Sequence, residues 1–243
     1  MNTAGPPRAR DLVVAMTGAS GAPYAVRLLQ VLSRFERTIH LTVSSSAVQV
    51  LREELGLEVS LDACNPAFAG VKPGRLVYHH YQDFNACIAS GSFPTAGMVI
   101  IPCSMSTLGA IAAGTTSNLI TRAADVHLKE RRKLILVPRE TPLSLIHLEN
   151  MVKVTRAGAV VLPAMPGWYH RPRQIGDLID FIVARICDQL GIQNALVRRW
   201  GTEISADPLE KTQRDSTADL EDAGLDLEET ERDPLAGDWA DGE

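Results

Sequence analysis

Apolar residues in this chain cluster in short continuous runs instead of strict alternation. Leu12-Val13-Val14-Ala15-Met16, Thr38 to Val43, Gly97 to Pro102, Lys133 to Pro138 and Ala159 to Pro163 each end in a turn-forming segment. Runs of this length, rich in Val, Ile and Leu, predict strands buried on both faces, the pattern of a parallel sheet covered by helices. Between them the spacing becomes helical. Ala25, Val26, Leu28, Leu29 and Leu32 form one amphipathic stripe, and a second helix is predicted from about Ala47 to Leu55. Others open after Cys103, span Asn118 to Lys133 and Leu143 to Ala157, and close the series from about Ile175 to Leu190. Residues 57–95 read as an irregular, loop-rich insertion punctuated by Pro66, Gly70, Pro73, Gly74 and Gly91, fit for an interaction surface. The adjacent His79 and His80 are expected there as solvated loop residues.

Composition narrows this picture. A length of 243 residues fits one large α/β domain, and 45% apolar content with 5% aromatics makes its core mostly aliphatic. Cys64, Cys87, Cys103 and Cys187 show no Cys-x-x-Cys spacing, so reduced thiols and no metal are expected. Met1–Arg10 contains no apolar segment of signal-peptide length, and no run approaches a bilayer span; a cytoplasmic protein is expected. The net charge of −5 conceals a division: from Glu203 on there are 15 acidic and 3 basic residues, leaving 21 basic and 14 acidic before it. A basic body suits phosphate-bearing small molecules, while its scattered charge and few aromatics argue against nucleic acid. The acidic tail, 202–243, and the N-terminal 1–10 are expected to be disordered.

The segments after the strands carry the candidate chemistry. Thr17-Gly18-Ala19-Ser20-Gly21 lies between a strand and a helix N-terminus, where backbone N–H groups and the helix dipole suit a phosphate. A dinucleotide fold places an acid after the second strand to hold the ribose; here that residue is Ser44, which argues against an NAD-type dehydrogenase. Ser104, Met105, Ser106 and Thr107 form a second hydroxyl-rich helix start, able to cap the helix or to donate to a ligand. Arg139-Glu140 at the end of the next strand suits an anion and proton transfer, and Met165 to Pro172 reads as an aromatic lid. Arg122 and Lys129 read as solvated helix charges. Arg185, among Phe181, Val183, Ile186 and Leu190, needs an acidic or phosphate partner.

In order and spacing, these stretches resemble the UbiX-type flavin prenyltransferases, relatives of the flavin-dependent cysteine decarboxylases. The likeness is carried by Thr17–Gly21, Pro102–Leu108, Arg122–Arg131, Val137–Leu143, His147–Met151 and Pro166–Pro172, and runs from about residue 11 to Gly201. It implies an α/β, single Rossmann-like domain over 11–201, with an open, mostly parallel sheet and helices on both faces. It also implies an enzyme that joins dimethylallyl phosphate to reduced FMN at N5 and then C6, without a metal. The product, prenylated FMN, serves UbiD-type decarboxylases. By the same resemblance Gly18, Ala19, Ser20, Ser44, Ser104, Met105, Ser106, Thr107 and Arg139 contact FMN. Ser20, Glu54 and Glu140 become the catalytic candidates, while Arg122, Lys129, Glu140, Tyr169 and Arg185 hold the prenyl phosphate. A homododecamer with sites near subunit contacts is implied as well. Ser45 stands where many relatives have Lys, and Trp168 where Phe is usual. Two alternatives are a cysteine decarboxylase of the same superfamily and a non-catalytic FMN-binding subunit.

Overall fold

The computed structural model of the chain describes residues 11–71 and 75–200. The N-terminal segment and the acidic tail, both expected to be disordered, lie outside the described residues. Strands β1 (Asp11–Met16), β2 (Ile39–Val43), β3 (Leu76–His80), β4 (Thr95–Cys103), β5 (Lys133–Pro138) and β6 (Val160–Val161) form one sheet in the order β3-β2-β1-β4-β5-β6. Every pairing is parallel. Helices α1 (Ala22–Leu32), α2 (Ser45–Leu55), α3 (Met105–Ala112), α4 (Leu119–Lys129), α5 (Leu145–Arg156) and α6 (Ile175–Gln189) lie between the strands or follow them. None of the described helices is long and apolar enough to cross a membrane.

The uninterrupted apolar runs follow from double coverage. On β1, Leu12, Val14 and Met16 face one core with α1 and α6, while Val13 and Ala15 face the other with α3 and α4. An alternating polar pattern would have placed one of these sets in water. Arg27 Nε and Nη2 donate to Asp180 Oδ1 and Oδ2 at 2.6 and 2.9 Å, so a two-pronged ion pair fastens α1 to α6.

The insertion contains an element that its composition hides. Leu76–His80 adds an edge strand beside β2, with Leu76 buried and Val77 exposed. Leu76-Val77-Tyr78 is a short apolar run of strand-forming residues, but the Pro- and Gly-punctuated segment around it reads as loop and hid the strand. His79 is thereby taken out of the solvated loop expected for it and set against buried His40, Nε2 to Nδ1 at 2.9 Å.

The order of strands reverses between β1 and β4, and in such sheets ligands bind outside the strand C-termini at that point. One hydroxyl ties the two sides of this crevice together. Buried Thr17 Oγ1 donates to the Pro102 carbonyl at 2.8 Å and accepts from the Ser104 N–H at 2.7 Å. At the far end of β4, buried His127 lies 2.9 Å from Thr95 Oγ1, and its other ring nitrogen lies 2.7 Å from the Ala123 carbonyl. Burial pushes the His127 imidazole down to about 4, with the Arg132 charge adding to the shift.

Two outcomes are expected. Thr17→Val keeps the shape but leaves the Ser104 N–H without its acceptor, while the Pro102 carbonyl retains only the Thr17 N–H at 3.2 Å; denaturant unfolding should show a loss of about 1–3 kcal/mol. For His127, the unfolded chain takes up a proton near pH 6.5 and the folded chain only near pH 4. Its contribution is complete above pH 6.5 and is lost as pH falls toward 4, by as much as ~3 kcal/mol. Melting temperatures across this window should therefore fall less steeply in His127→Gln than in the native chain.

Candidate active site

Residues after β1, β2, β4 and β5 converge at the switch point. Thr17 and Ala19 point inward and are buried, leaving Gly18 and Ser20 exposed. A Cβ on Gly18 would lie 2.4 Å from Ser46 Cβ, so the close approach of the two loops requires glycine there. Gly21 has φ 120°, a backbone conformation that L side chains rarely adopt. Ser44 N–H donates to the Met16 carbonyl at 3.0 Å, and its hydroxyl accepts from Ala47 N–H to cap α2. Ser104 caps α3 in the same way, accepting from Thr107 N–H at 3.3 Å while donating to Thr107 Oγ1 at 3.0 Å. Met105 is buried beneath this turn, and Ser106 is exposed on it.

Glu54 changes the reading of the first loop. From the last turn of α2 its carboxylate accepts from Gly21 N–H at 3.0 Å and Ala22 N–H at 2.8 Å. The amides at the start of α1, which the glycine pattern offered to a phosphate, are engaged by the protein's own anion. The same dipole and donor argument applies, with a carboxylate in the phosphate's place.

The β5 end closes the other side. Arg139 Nε donates to the Ser20 carbonyl at 3.3 Å, joining the two loops across the crevice. Glu140 is half-buried, and its Oε1 accepts from Thr141 N–H. Both line a small open cleft of about 80 Å³ with Leu143, Met151, Pro163 and Met165. Leu143 and Met151, which periodicity places in one predicted helix, are therefore wall residues, with Leu143 preceding α5 and Met151 on it. The aromatic segment holds together through Phe181 of α6: Tyr169 meets it edge-on at 5.8 Å, and His170 stacks on it at 5.2 Å. Tyr169 and Trp168 remain exposed.

The cations expected around a prenyl phosphate are not gathered at this crevice within one chain. Lys129 ends α4 and pairs with Glu130, beside Gly91 and just before β5 begins. It thus lies at the strand N-terminal edge, about 17 Å of strand away from Arg139. Arg122 donates to the Ala89 carbonyl at 3.0 Å and pairs with Asp125 at 2.9 Å. Arg185 lies some ~15 Å along α6 from its start. It is half exposed and pairs with Asp188 at 2.9 Å, which supplies the acidic partner that its apolar neighbours had demanded.

The crevice has the features a flavin needs: a glycine turn that admits no side chain, small residues at 19 and 20, hydroxyls on two helix starts, and a guanidinium at the rim. Comparison with known proteins agrees. The flavoprotein family model matches residues 2–187. The flavin prenyltransferase UbiX of Alkalihalophilus pseudofirmus is 52% identical over 192 residues, spanning 78% of this chain and 96% of the relative. That of Pseudomonas aeruginosa is 47% identical over 197 residues, 79% and 94% of the two chains. Among solved structures, AnUbiX (PadA1) in complex with FMN and dimethylallyl pyrophosphate has a TM-score of 0.73 at 42% identity, covering 81% of this chain and 100% of its own. A dodecameric FMN-dependent UbiX-like decarboxylase from Escherichia coli O157:H7 has a TM-score of 0.71 at 44% identity, covering 79% and 100%. The chain belongs to the flavoprotein family and, within it, to the UbiX flavin prenyltransferases.

Proposed function

We propose that this enzyme transfers the dimethylallyl group of dimethylallyl phosphate to reduced FMN, first at N5 and then at C6, releasing phosphate and giving prenylated FMN for a UbiD-type decarboxylase. The observation that carries the reading is the bond from Arg139 to Ser20, which sets the flavin-binding loop against the Glu140 cleft. In this reading reduced FMN supplies the nucleophilic nitrogen and carbon, and the protein supplies binding, charge and proton handling. Gly18, Ala19, Ser20 and Ser44 form one wall, Ser104 to Thr107 another, and Arg139 closes the rim. Ser20 stands next to the reacting ring. Glu54, held by the amides of α1, faces the loop with fixed orientation, and Glu140 lies in the cleft where the prenyl chain enters. Both are placed to receive or return protons, and Leu143, Met151 and Met165 keep water from the allylic carbon. A departing phosphate is stabilised chiefly by positive charge fixed in place before the bond breaks. Lys129, Arg122 and Arg185 are assigned that role together with Tyr169, with no metal in the set.

Because these cations lie away from the crevice of their own chain, we assign them to sites shared between copies in a homo-oligomer. Supporting this, Leu145, Leu148 and Val152 form an exposed apolar stripe on α5, and Met165 and Trp168 are exposed in the segment that follows β6. The E. coli relative, described as dodecameric, has the same fold at 44% identity. The larger number of copies, the decarboxylase served and a cytoplasmic location all belong to this proposal.

Mass spectrometry of the flavin after anaerobic incubation with reduced FMN and dimethylallyl phosphate should show the gain of one prenyl unit. Bound FMN of unchanged mass would overturn the reading. Arg185→Ala should retain FMN while losing prenyl-phosphate binding, with turnover down at least about 100-fold, as for removal of a group that stabilises developing charge. Co-expressed with Glu140→Gln chains, it should regain part of the activity, since mixed oligomers contain some intact sites. No regain would place Arg185 and Glu140 in the same chain's site.

A further inference from the structure

A second cluster of chemistry-bearing side chains lies away from the crevice. His40 is the second residue of β2, and His79 is the fourth of β3, paired with Thr42. The two therefore project from the same face of the sheet on neighbouring strands. Cys87, at the start of a 3₁₀ turn at Cys87–Ala89, comes down onto that face. His40 Nδ1 is 2.9 Å from His79 Nε2 and 3.9 Å from Cys87 Sγ, and the three donor atoms lie within 4.8 Å of one another. His40 is buried, while His79 and Cys87 retain partial exposure, so the cluster has an inner wall and an outer mouth. From Ser44, the nearest flavin candidate on the same strand, His40 is separated by about 13 Å of extended chain.

The geometry of the ring pair is informative. The rings are only 13° from coplanar with centroids 5.2 Å apart. With the facing nitrogens at 2.9 Å, that separation places the rings end to end in one plane, sharing a proton, instead of face to face. The other nitrogen of His40, Nε2, lies 3.3 Å from Asp11 Oδ2. A carboxylate there selects the tautomer with the proton on Nε2, which leaves the Nδ1 lone pair aimed at His79 and Cys87. Phe93 closes the ring's flank edge-on at 5.2 Å.

We propose that His40 Nδ1, His79 Nε2 and Cys87 Sγ form a zinc site, with Asp11 orienting His40 from behind and the fourth position open to solvent. Tetrahedral zinc with bonds of about 2.0–2.1 Å to nitrogen and 2.3 Å to sulfur requires roughly 3.3 Å between the two nitrogens and 3.6 Å between nitrogen and sulfur. The nitrogens must part by a few tenths of an ångström, the rings must tilt by about 35° from end-to-end alignment so that both lone pairs meet the metal, and Cys87 must swing inward, a motion its partial exposure permits. On binding, the metal replaces the shared proton: His79 moves its own proton to Nδ1, and the Cys87 thiol releases one proton to solvent. Two imidazoles and a thiolate suit zinc and exclude magnesium and calcium, which take oxygen donors. The site departs from the metal-free expectation drawn from cysteine spacing. Its ligands come from three separate segments: the parallel pairing of β2 and β3 brings the two histidines together, and the turn at Cys87–Ala89 adds the thiol.

The test uses the full chain, stripped with chelator, titrated with Zn²⁺ and separately with Co²⁺. One ion per chain is expected, with release of one proton, and Co²⁺ should give a thiolate-to-metal charge-transfer band in the near ultraviolet. Cys87→Ser should abolish that band, and His79→Gln should weaken zinc binding at least about 10-fold. Asp11→Asn should keep the band while lowering affinity by about 10–100-fold. Circular dichroism of each variant identifies any that fails to fold, and His79, half exposed, provides the mildest change. Absence of the band in the folded native chain overturns the proposal. So does zinc binding that survives both Cys87→Ser and His79→Gln, which would assign it to the acidic tail.

Discussion

A single buried hydroxyl holds the crevice in shape. Thr17 Oγ1 uses both its proton and a lone pair, on the Pro102 carbonyl and the Ser104 N–H, at the position where the sheet's strand order reverses. The Thr17 N–H already meets the Pro102 carbonyl at 3.2 Å, but the Ser104 N–H at the end of β4 would be unpaired unless a side chain served it. Thr17 does so, and in consequence fixes the spacing between the Gly18–Gly21 turn and the start of α3. The flavin walls proposed above depend on that spacing.

Charge placement then decides what each loop can hold. A helix N-terminus attracts anions, and at α1 the anion is Glu54, reaching across from the end of α2. This orients a carboxylate at the mouth of the loop. On the opposite wall Arg139 is held by the Ser20 carbonyl, so cation and anion flank the same turn. A site with both charges fixed in advance needs little reorganisation as charge develops during reaction.

Distance along the strands separates the remaining cations. The sheet is about 17 Å deep at β5, and Lys129 is at its other edge. A helix pointing back along the sheet carries Arg185 in the same direction. The Lys129 side chain cannot span that gap within one chain, and Leu145, Leu148 and Val152 leave an exposed apolar stripe on α5. Pairing of Arg185 with Asp188 and of Arg122 with Asp125 keeps these cations compensated meanwhile.

Local pattern alone was enough for much of the fold. The Val- and Ile-rich runs announce β1, β2, β4 and β5 because both faces are buried; Ser104 and Asn118 announce helix starts because a cap acts within three residues. The motif order also identified the family, and with it the expected substrates. What tertiary structure decided are contacts between segments far apart in sequence: Glu54 on Gly21 across 33 residues, Arg139 on Ser20 across 119, and His79 on His40 across 39. None follows from periodicity, because each depends on which strands are neighbours. The edge strand β3 shows this most plainly. Its short Leu-Val-Tyr-His-His run is lost in a Pro- and Gly-punctuated insertion, and the free side of β2 makes it a strand.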